Sequence, residues 1–364
     1  MTLARAPGVG AVQVARLLDA CPDIRQALRP GQPARQGLGR PALDWLARPD
    51  EALLDADQAW LGQSGHHLLT PDHPAYPASL RDLSAPPPWL YARGDLDLLG
   101  PPGLAIVGSR NPTPAGRGTA REFAAELAAA GLVIVSGLAS GVDAAAHEGA
   151  LDVQGMTIAV CGTGLDRIYP ARNRELGLRI AEQGLLLSQF NLGTPARPGH
   201  FPQRNRVIAG LTLGTLVVEA ARQSGSLITA RLAAETGRDV FAIPGSVHNP
   251  LARGCHRLIR DGAKLVEQAA DVIEEIAPRL IVPQPATKPP TDGPQEGAQE
   301  LDEEYQMLLK AVGFEPTPVD QIVAESGLTA AAVSSMLLVL ELEDHVSPAP
   351  GGGYMRTRPP QNVS

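Results

Sequence analysis

From residue 104 onward, short runs of apolar residues alternate with longer amphipathic stretches, and glycine-rich turns join them. The apolar runs predict strands at 104–107, 132–135, 157–160, 185–188, 215–218, 240–243 and 264–266. Between them the spacing predicts helices, including 115–130, 142–151 and 227–236. Nearly continuous apolar strands separated by helices imply a parallel sheet covered on both faces. The expected fold is therefore α/β, a doubly wound and mostly parallel sheet whose ligands gather at the carboxyl ends of the strands.

The flanks follow other patterns. Residues 1–70 alternate short helical patterns with Pro and Gly, and Pro7-Gly8-Val9-Gly10 is either a phosphate-facing helix-hairpin-helix turn or a plain turn between helices. Residues 71–93, rich in Pro, read as an extended lead-in to the α/β domain, which together span 71–280. Residues 281–300 carry Pro, Gln, Thr and Gly with little to bury, and read as a flexible linker. Within 301–358, three short helical patterns and a hairpin around Gly351-Gly352-Gly353 predict a winged helix.

Composition narrows the function. Hydrophobic residues reach 44% but aromatics only 4%, so the core is built from Ala, Val, Leu and Ile. Cys21, Cys161 and Cys255 form no C-x-x-C pair, which suits a reducing cytosol and leaves no zinc ribbon. The first residues show no apolar signal core, and no run is long enough for a membrane helix, so a cytoplasmic protein is expected. The net charge of −8 argues superficially against nucleic acid, yet ten acidic and two basic residues between Glu267 and Glu304 account for all of it. The remainder is balanced, and 28 of its 31 cations along the whole chain are Arg, whose planar fork suits phosphate.

The candidate chemistry lies behind the strands. Four strand ends are followed by Gly with Ser, Thr or Arg: Gly108-Ser109-Arg110, Ser136-Gly137 with Gly141, Gly162-Thr163-Gly164, and Ser224-Gly225-Ser226. Glycine allows close backbone approach, and unpaired N–H groups at helix starts with nearby hydroxyls favour anions. Arg172, Asn173 and the donor-rich segment Phe201-Pro202-Gln203-Arg204-Asn205-Arg206 fall among the same loops, with Arg204 and Asn205 expected at a helix start. No loop is a dinucleotide fingerprint or a P-loop, so NAD enzymes and P-loop ATPases fit poorly, and no cofactor is expected. Asp143 and His147 share a helix face at i, i+4; a hydrogen bond between them is preferred to a metal pair, and no metal is expected. With few aromatics near the loops (Tyr169, Phe190 and Phe201), phosphate contacts should outweigh base stacking. The helical pattern 329–342 of the winged helix has no Lys or Arg, which favours packing or protein contact over a DNA groove.

These motifs resemble the DprA/Smf family. The likeness is carried by Ala105-Ile106-Val107-Gly108-Ser109-Arg110, by Ser136-Gly137-Leu138-Ala139-Ser140-Gly141-Val142-Asp143, by Phe201 through Gly210, and by Ser224 through Ala230. The resemblance implies an extended Rossmann-like domain that binds single-stranded DNA without catalysis, forms a homodimer and loads the RecA recombinase. It also implies a helical N-terminal domain and a C-terminal winged helix. The family's lysine after Tyr-Pro is replaced here, since Tyr169-Pro170 is followed by Ala171 and then Arg172, the candidate substitute. The main alternative is a nucleotide phosphoribohydrolase of the LOG type. Its Gly-Thr-x-x-Glu spacing is missed by one, because three residues separate Thr215 from Glu219.

Overall fold

In a computed structural model of the chain, described for residues 1–21, 26, 28, 29, 35, 37–280, 308–313, 317–330, 333, 336, 337, 340, 346–349 and 353–356, two compact units are distinguished, 1–284 and 285–364. The first unit opens with helices α1 (Ala11–Ala20), α2 (Arg40–Ala47) and α3 (Glu51–Leu61). The α/β part continues as β1 (His66–Leu69), α4 (Ala78–Arg81), β2 (Leu90–Gly94), β3 (Gly103–Val107), α5 (Pro114–Ala129), β4 (Val133–Ser136), α6 (Val142–Asp152), β5 (Thr157–Val160), α7 (Arg174–Gln183) and β6 (Leu185–Ser188). It ends with α8 (His200–Leu211), β7 (Gly214–Val217), α9 (Ser226–Glu235), β8 (Asp239–Ala242), α10 (Arg253–Arg260), β9 (Lys264–Leu265) and α11 (Ala269–Leu280).

The sheet has nine strands in the order β1-β2-β6-β5-β4-β3-β7-β8-β9. From β6 to β9 every neighbouring pair is parallel, as the apolar runs predict. Two further strands were not expected. β2 pairs antiparallel with β6, and β1 pairs antiparallel with β2. The lead-in is therefore not simply an extended connector: Leu90, Tyr91 and Ala92 are fully buried, and their apolar run is a strand that the surrounding prolines disguise.

Side chains alternate across the sheet. Leu104 and Ile106 face a core shared with α5, α6 and α11, while Ala105 faces the layer of Val135, Val160, Leu187 and Val207. Each fully buried Leu or Ile contributes about 1.5–3 kcal/mol. A third cluster joins Val14 and Trp60 of the N-terminal helices to Tyr91, Leu138, Leu176 and Leu186. Arg5 spans the same region, donating two 2.5 Å hydrogen bonds to the fully buried carboxylate of Asp57 and one to the Leu192 carbonyl. The Pro7–Gly10 turn leads into α1, with Gly8 at φ +74° and the Gln13 side chain accepting from the Gly10 N–H; residues 2–6 before it are turns and a bend, so no helix precedes the expected hairpin among the described residues.

The second unit is a winged helix. A three-stranded sheet of Thr317–Pro318, Val346–Ala349 and Gly353–Arg356 contains the expected hairpin, and Val319–Ser326 forms a helix ended by left-handed Gly327. Leu308, Val312, Ile322, Leu337 and Leu340 fill its core. The linker expected at 281–300 lies outside the described residues, as does much of the helical pattern 329–342.

Candidate nucleic-acid interface

The chain climbs away from β3 on one side through β4, β5 and β6, then returns to its other side with β7. The loops after β3 and β7 therefore diverge at their carboxyl ends, which opens a crevice at this switch point. A cavity of about 630 Å³ occupies it. Of the sequence-derived candidates, the cavity brings together Gly108, Arg110, Phe201, Arg204, Asn205, Ser224, Gly225 and Ser226. It also takes in Asp143 and Thr229, which the sequence did not assign to the site, and Tyr169 and Arg197, which the sequence placed only near these loops.

Arg110 is exposed, and its guanidinium carbon lies 5.2 Å from the centre of the Phe201 ring. Among the described residues its side chain makes no ion pair and no hydrogen bond, while its charge acts on the buried Asp143. Phe201 in turn meets Tyr169, ring centres 5.9 Å apart and tilted by 36°, and Tyr169 is 48% exposed. Phe190 stacks on His200 at 4.4 Å. Of these rings, Tyr169 and Phe201 line the cavity, brought together from the loop after β5 and the first turn of α8. Opposite them, the hydroxyls of Ser224 and Ser226 lie 2.7 Å apart at the start of α9.

Several candidates form the framework beneath the cavity. Arg204 is buried and donates to the carbonyls of Gly137 and Val160, tying the ends of β4 and β5 together. It lies within α8, which begins at His200, so neither Arg204 nor Asn205 stands at the helix start expected from the sequence. Gly137 packs so closely on this guanidinium that any Cβ there would collide with it. Asp143 accepts hydrogen bonds from the N–H groups of Gly137 and Ala139. It makes no hydrogen bond to His147, contrary to expectation: the His147 Nδ1 is 2.7 Å from the Thr157 hydroxyl. Burial pushes the Asp143 carboxyl up, against the pull of Arg204, and lowers His147 to about 3. No group of three or more metal-ligating side chains occurs among the described residues.

The other candidates do not line the cavity. The Ser136 hydroxyl donates to the Ile106 carbonyl, and the buried Asn173 amide donates to the Leu138 carbonyl. Gly162, Thr163 and Gly164 are buried, with Phe201 packed on Gly162. Gly141 holds φ +83° where the chain turns into α6 and touches the backbone of Ser109 and Arg110, so glycine is required there to shape the Arg110 loop. Ser109 accepts from the Asn111 N–H. Arg206 donates to the Ala85 carbonyl, away from the cavity. Arg172 is exposed in the turn before α7 and is not among the cavity's walls.

Glu219, the acid of the alternative reading, accepts from the backbone N–H and hydroxyl of Thr113, both at 2.8 Å, and from the Asn249 amide. Its oxygens are committed to holding the start of α5.

The chain matches a known family over this region. The family model for DNA recombination-mediator protein A covers residues 67–277. The chain belongs to the DprA/Smf family. A model of the DprA winged helix domain matches 286–352, in accord with the second unit. Protein Smf of Escherichia coli is 41% identical over 88% of this chain and 84% of its own length. The DNA processing protein DprA of Streptococcus pneumoniae is 49% identical over 55% of this chain and 71% of its own length. Its crystal structure superposes with a TM-score of 0.67, covering 75% of this chain and 95% of that one. The DNA processing protein A of Helicobacter pylori, whose structure concerns its single-stranded DNA binding mode, is 33% identical with a TM-score of 0.54. It covers 58% of this chain and 97% of that one.

Proposed function

We propose that this chain binds single-stranded DNA in the switch-point cavity and acts as a recombination mediator that delivers the strand to the RecA recombinase, without chemistry of its own. One observation carries the reading. Arg110 stands exposed and without an ion-pair partner among the described residues, at the carboxyl end of the first parallel strand, with a ring on one side and helix-start hydroxyls across the cavity. That combination suits a phosphate flanked by a base. The fork takes the phosphate oxygens, and the exposed Tyr169 offers a face for stacking. Separation of the rings and cations over several loops suits a flexible single strand better than a rigid duplex, which needs an element that enters a groove.

The reading includes a homodimer. The apolar run 240–244 is taken up within the sheet, since β8 is paired on both sides and Phe241 and Ala242 are fully buried. Among the described residues the sheet ends at β1 on one side and at β9 on the other, and Leu265 on β9 is 44% exposed. No helix among the described residues is long and apolar enough to cross a membrane.

The test is a fluorescence titration of single- and double-stranded oligonucleotides across a salt series. Binding that favours single strands and weakens linearly with log salt supports the proposal. Equal affinity for the duplex at matched salt removes it. Sedimentation equilibrium at micromolar concentration decides the homodimer, and stimulation of RecA filament assembly on the bound strand decides the delivery step.

A further inference from the structure

Beyond the switch-point cavity, the 224–228 segment forms a low sill. Ser224 and Ile228 line that cavity, and they also line a second one of about 570 Å³ between α9 and the β8–β9 side of the sheet. The two cavities are therefore neighbours that share a wall, not separate features of opposite faces.

The charges of the second cavity sort into spent and free. Arg257 pairs with Asp261, and Lys264 pairs with Glu275 at 2.5 Å. Arg238 turns inward and donates to the carbonyls of Thr212 and Ser79. Arg222 and Arg231 remain: both are exposed, and neither has an ion pair or hydrogen bond among the described residues. Arg222 precedes the sill, and Arg231 lies on α9 one turn beyond it. Ile228, 41% exposed, gives the sill an apolar crest between the two cations and the first cavity.

We propose that the second cavity is a further subsite for the same polynucleotide, in which Arg222 and Arg231 hold phosphates of a strand that leaves the Arg110 site over the Ser224–Ile228 sill. The inference rests on the single-strand reading above and extends it to a path. An apolar crest at the crossing tolerates any base, because every base has a face that can lie on it. Two free arginines beyond the crest supply the next backbone contacts, with no requirement on sequence.

The test uses the full chain and a graded set of oligo-dT. Lengths run from about four nucleotides, the shortest single-strand site sizes known, to about sixteen. The double variant Arg222→Ala/Arg231→Ala should bind the shortest strand as the unaltered chain does. On the longest it should lose roughly a hundred- to ten-thousand-fold in affinity, with a log–log salt slope shallower by about 1.4 for two lost contacts. Arg222→Lys/Arg231→Lys should restore the slope. Equal loss on short and long strands would place both residues in the first cavity, and no loss on the long strand would assign the second cavity to another ligand class; either overturns the inference while leaving the first site in place. If the unaltered chain binds no length, the proposed function fails with it.

Discussion

Arg204 and Asp143 hold opposite ends of the same residue, Gly137: the guanidinium donates to its carbonyl, and the carboxylate accepts from its N–H. Both side chains are buried in the wall of the cavity, where burial raises the acid and lowers the base. Each charge is offset by the other and by backbone dipoles, so the loop between β4 and α6 is set by a buried polar frame. Removing Arg204 breaks its hydrogen bonds to the Gly137 and Val160 carbonyls, each worth about 1.5–3 kcal/mol. Arg204→Ala is therefore expected to lower stability by that order in urea unfolding. A variant with unaltered stability, weaker DNA binding and a shallower salt slope would instead make Arg204 a direct phosphate ligand.

His147 gives the same frame a pH dependence. Burial, reinforced by the charge of Arg204, drops its folded value to about 3, below the ordinary 6.5. The unfolded chain then binds this proton more readily than the native one between those limits. The contribution is fully present above about pH 6.5 and is lost as pH falls toward 3, with a slope of at most about 1.4 kcal/mol per pH unit. The raised Asp143 works in the opposite sense above its ordinary value, since there the native state holds the extra proton. The informative measurement is thus a comparison: His147→Gln should show a flatter stability profile between pH 4 and 6.5 than the unaltered chain. Parallel profiles would mean that His147 carries no such linkage.

What the sequence made legible was periodicity and local chemistry. The seven parallel strands follow from apolar runs, and Arg110 follows from its place two residues after Gly108. What it concealed depended on distance through the fold. Arg204 and Arg206 have the composition of phosphate ligands, but only the tertiary structure reveals that carbonyls of Val160 and Ala85 occupy them. Conversely, Tyr169 and Arg197 belong to the cavity because the loops after β5 and β6 fold toward α8, a placement no short spacing encodes. β2 escaped notice for a local reason, since Pro86, Pro87 and Pro88 precede a run of only a few apolar residues.

Glu219 separates a binding protein from a nucleotide hydrolase. Its oxygens cap the Thr113 backbone and hydroxyl, and the Thr113 hydroxyl accepts from the Gly116 N–H at the first turn of α5. Glu219→Ala should cost about 1.5–3 kcal/mol of stability, the range for hydrogen bonds to a charged group. Incubation of the unaltered chain with AMP should release no base. Base release that disappears in Glu219→Ala would establish the catalytic reading in place of the structural one.

Arg110 is the residue on which the placement of the site turns. It has no internal hydrogen-bond or ion-pair partner among the described residues, so truncation should leave folding intact. A charge-assisted hydrogen bond is worth about 1.5–3 kcal/mol. Arg110→Ala should then weaken single-strand binding roughly ten- to a hundred-fold, and the salt slope should become shallower by about 0.7. Arg110→Lys keeps the charge but loses the fork and its broad contact with Phe201, so it should recover the slope and only part of the affinity. The two variants separate charge from geometry, and thermal unfolding of each checks that the loop still folds. If Arg110→Ala melted at a lower temperature with an unchanged slope, Arg110 would be a brace for its own loop. If affinity and melting were both unchanged, the phosphate would have to sit elsewhere on the sheet's carboxyl edge, with Arg197 the next cation of the cavity to test.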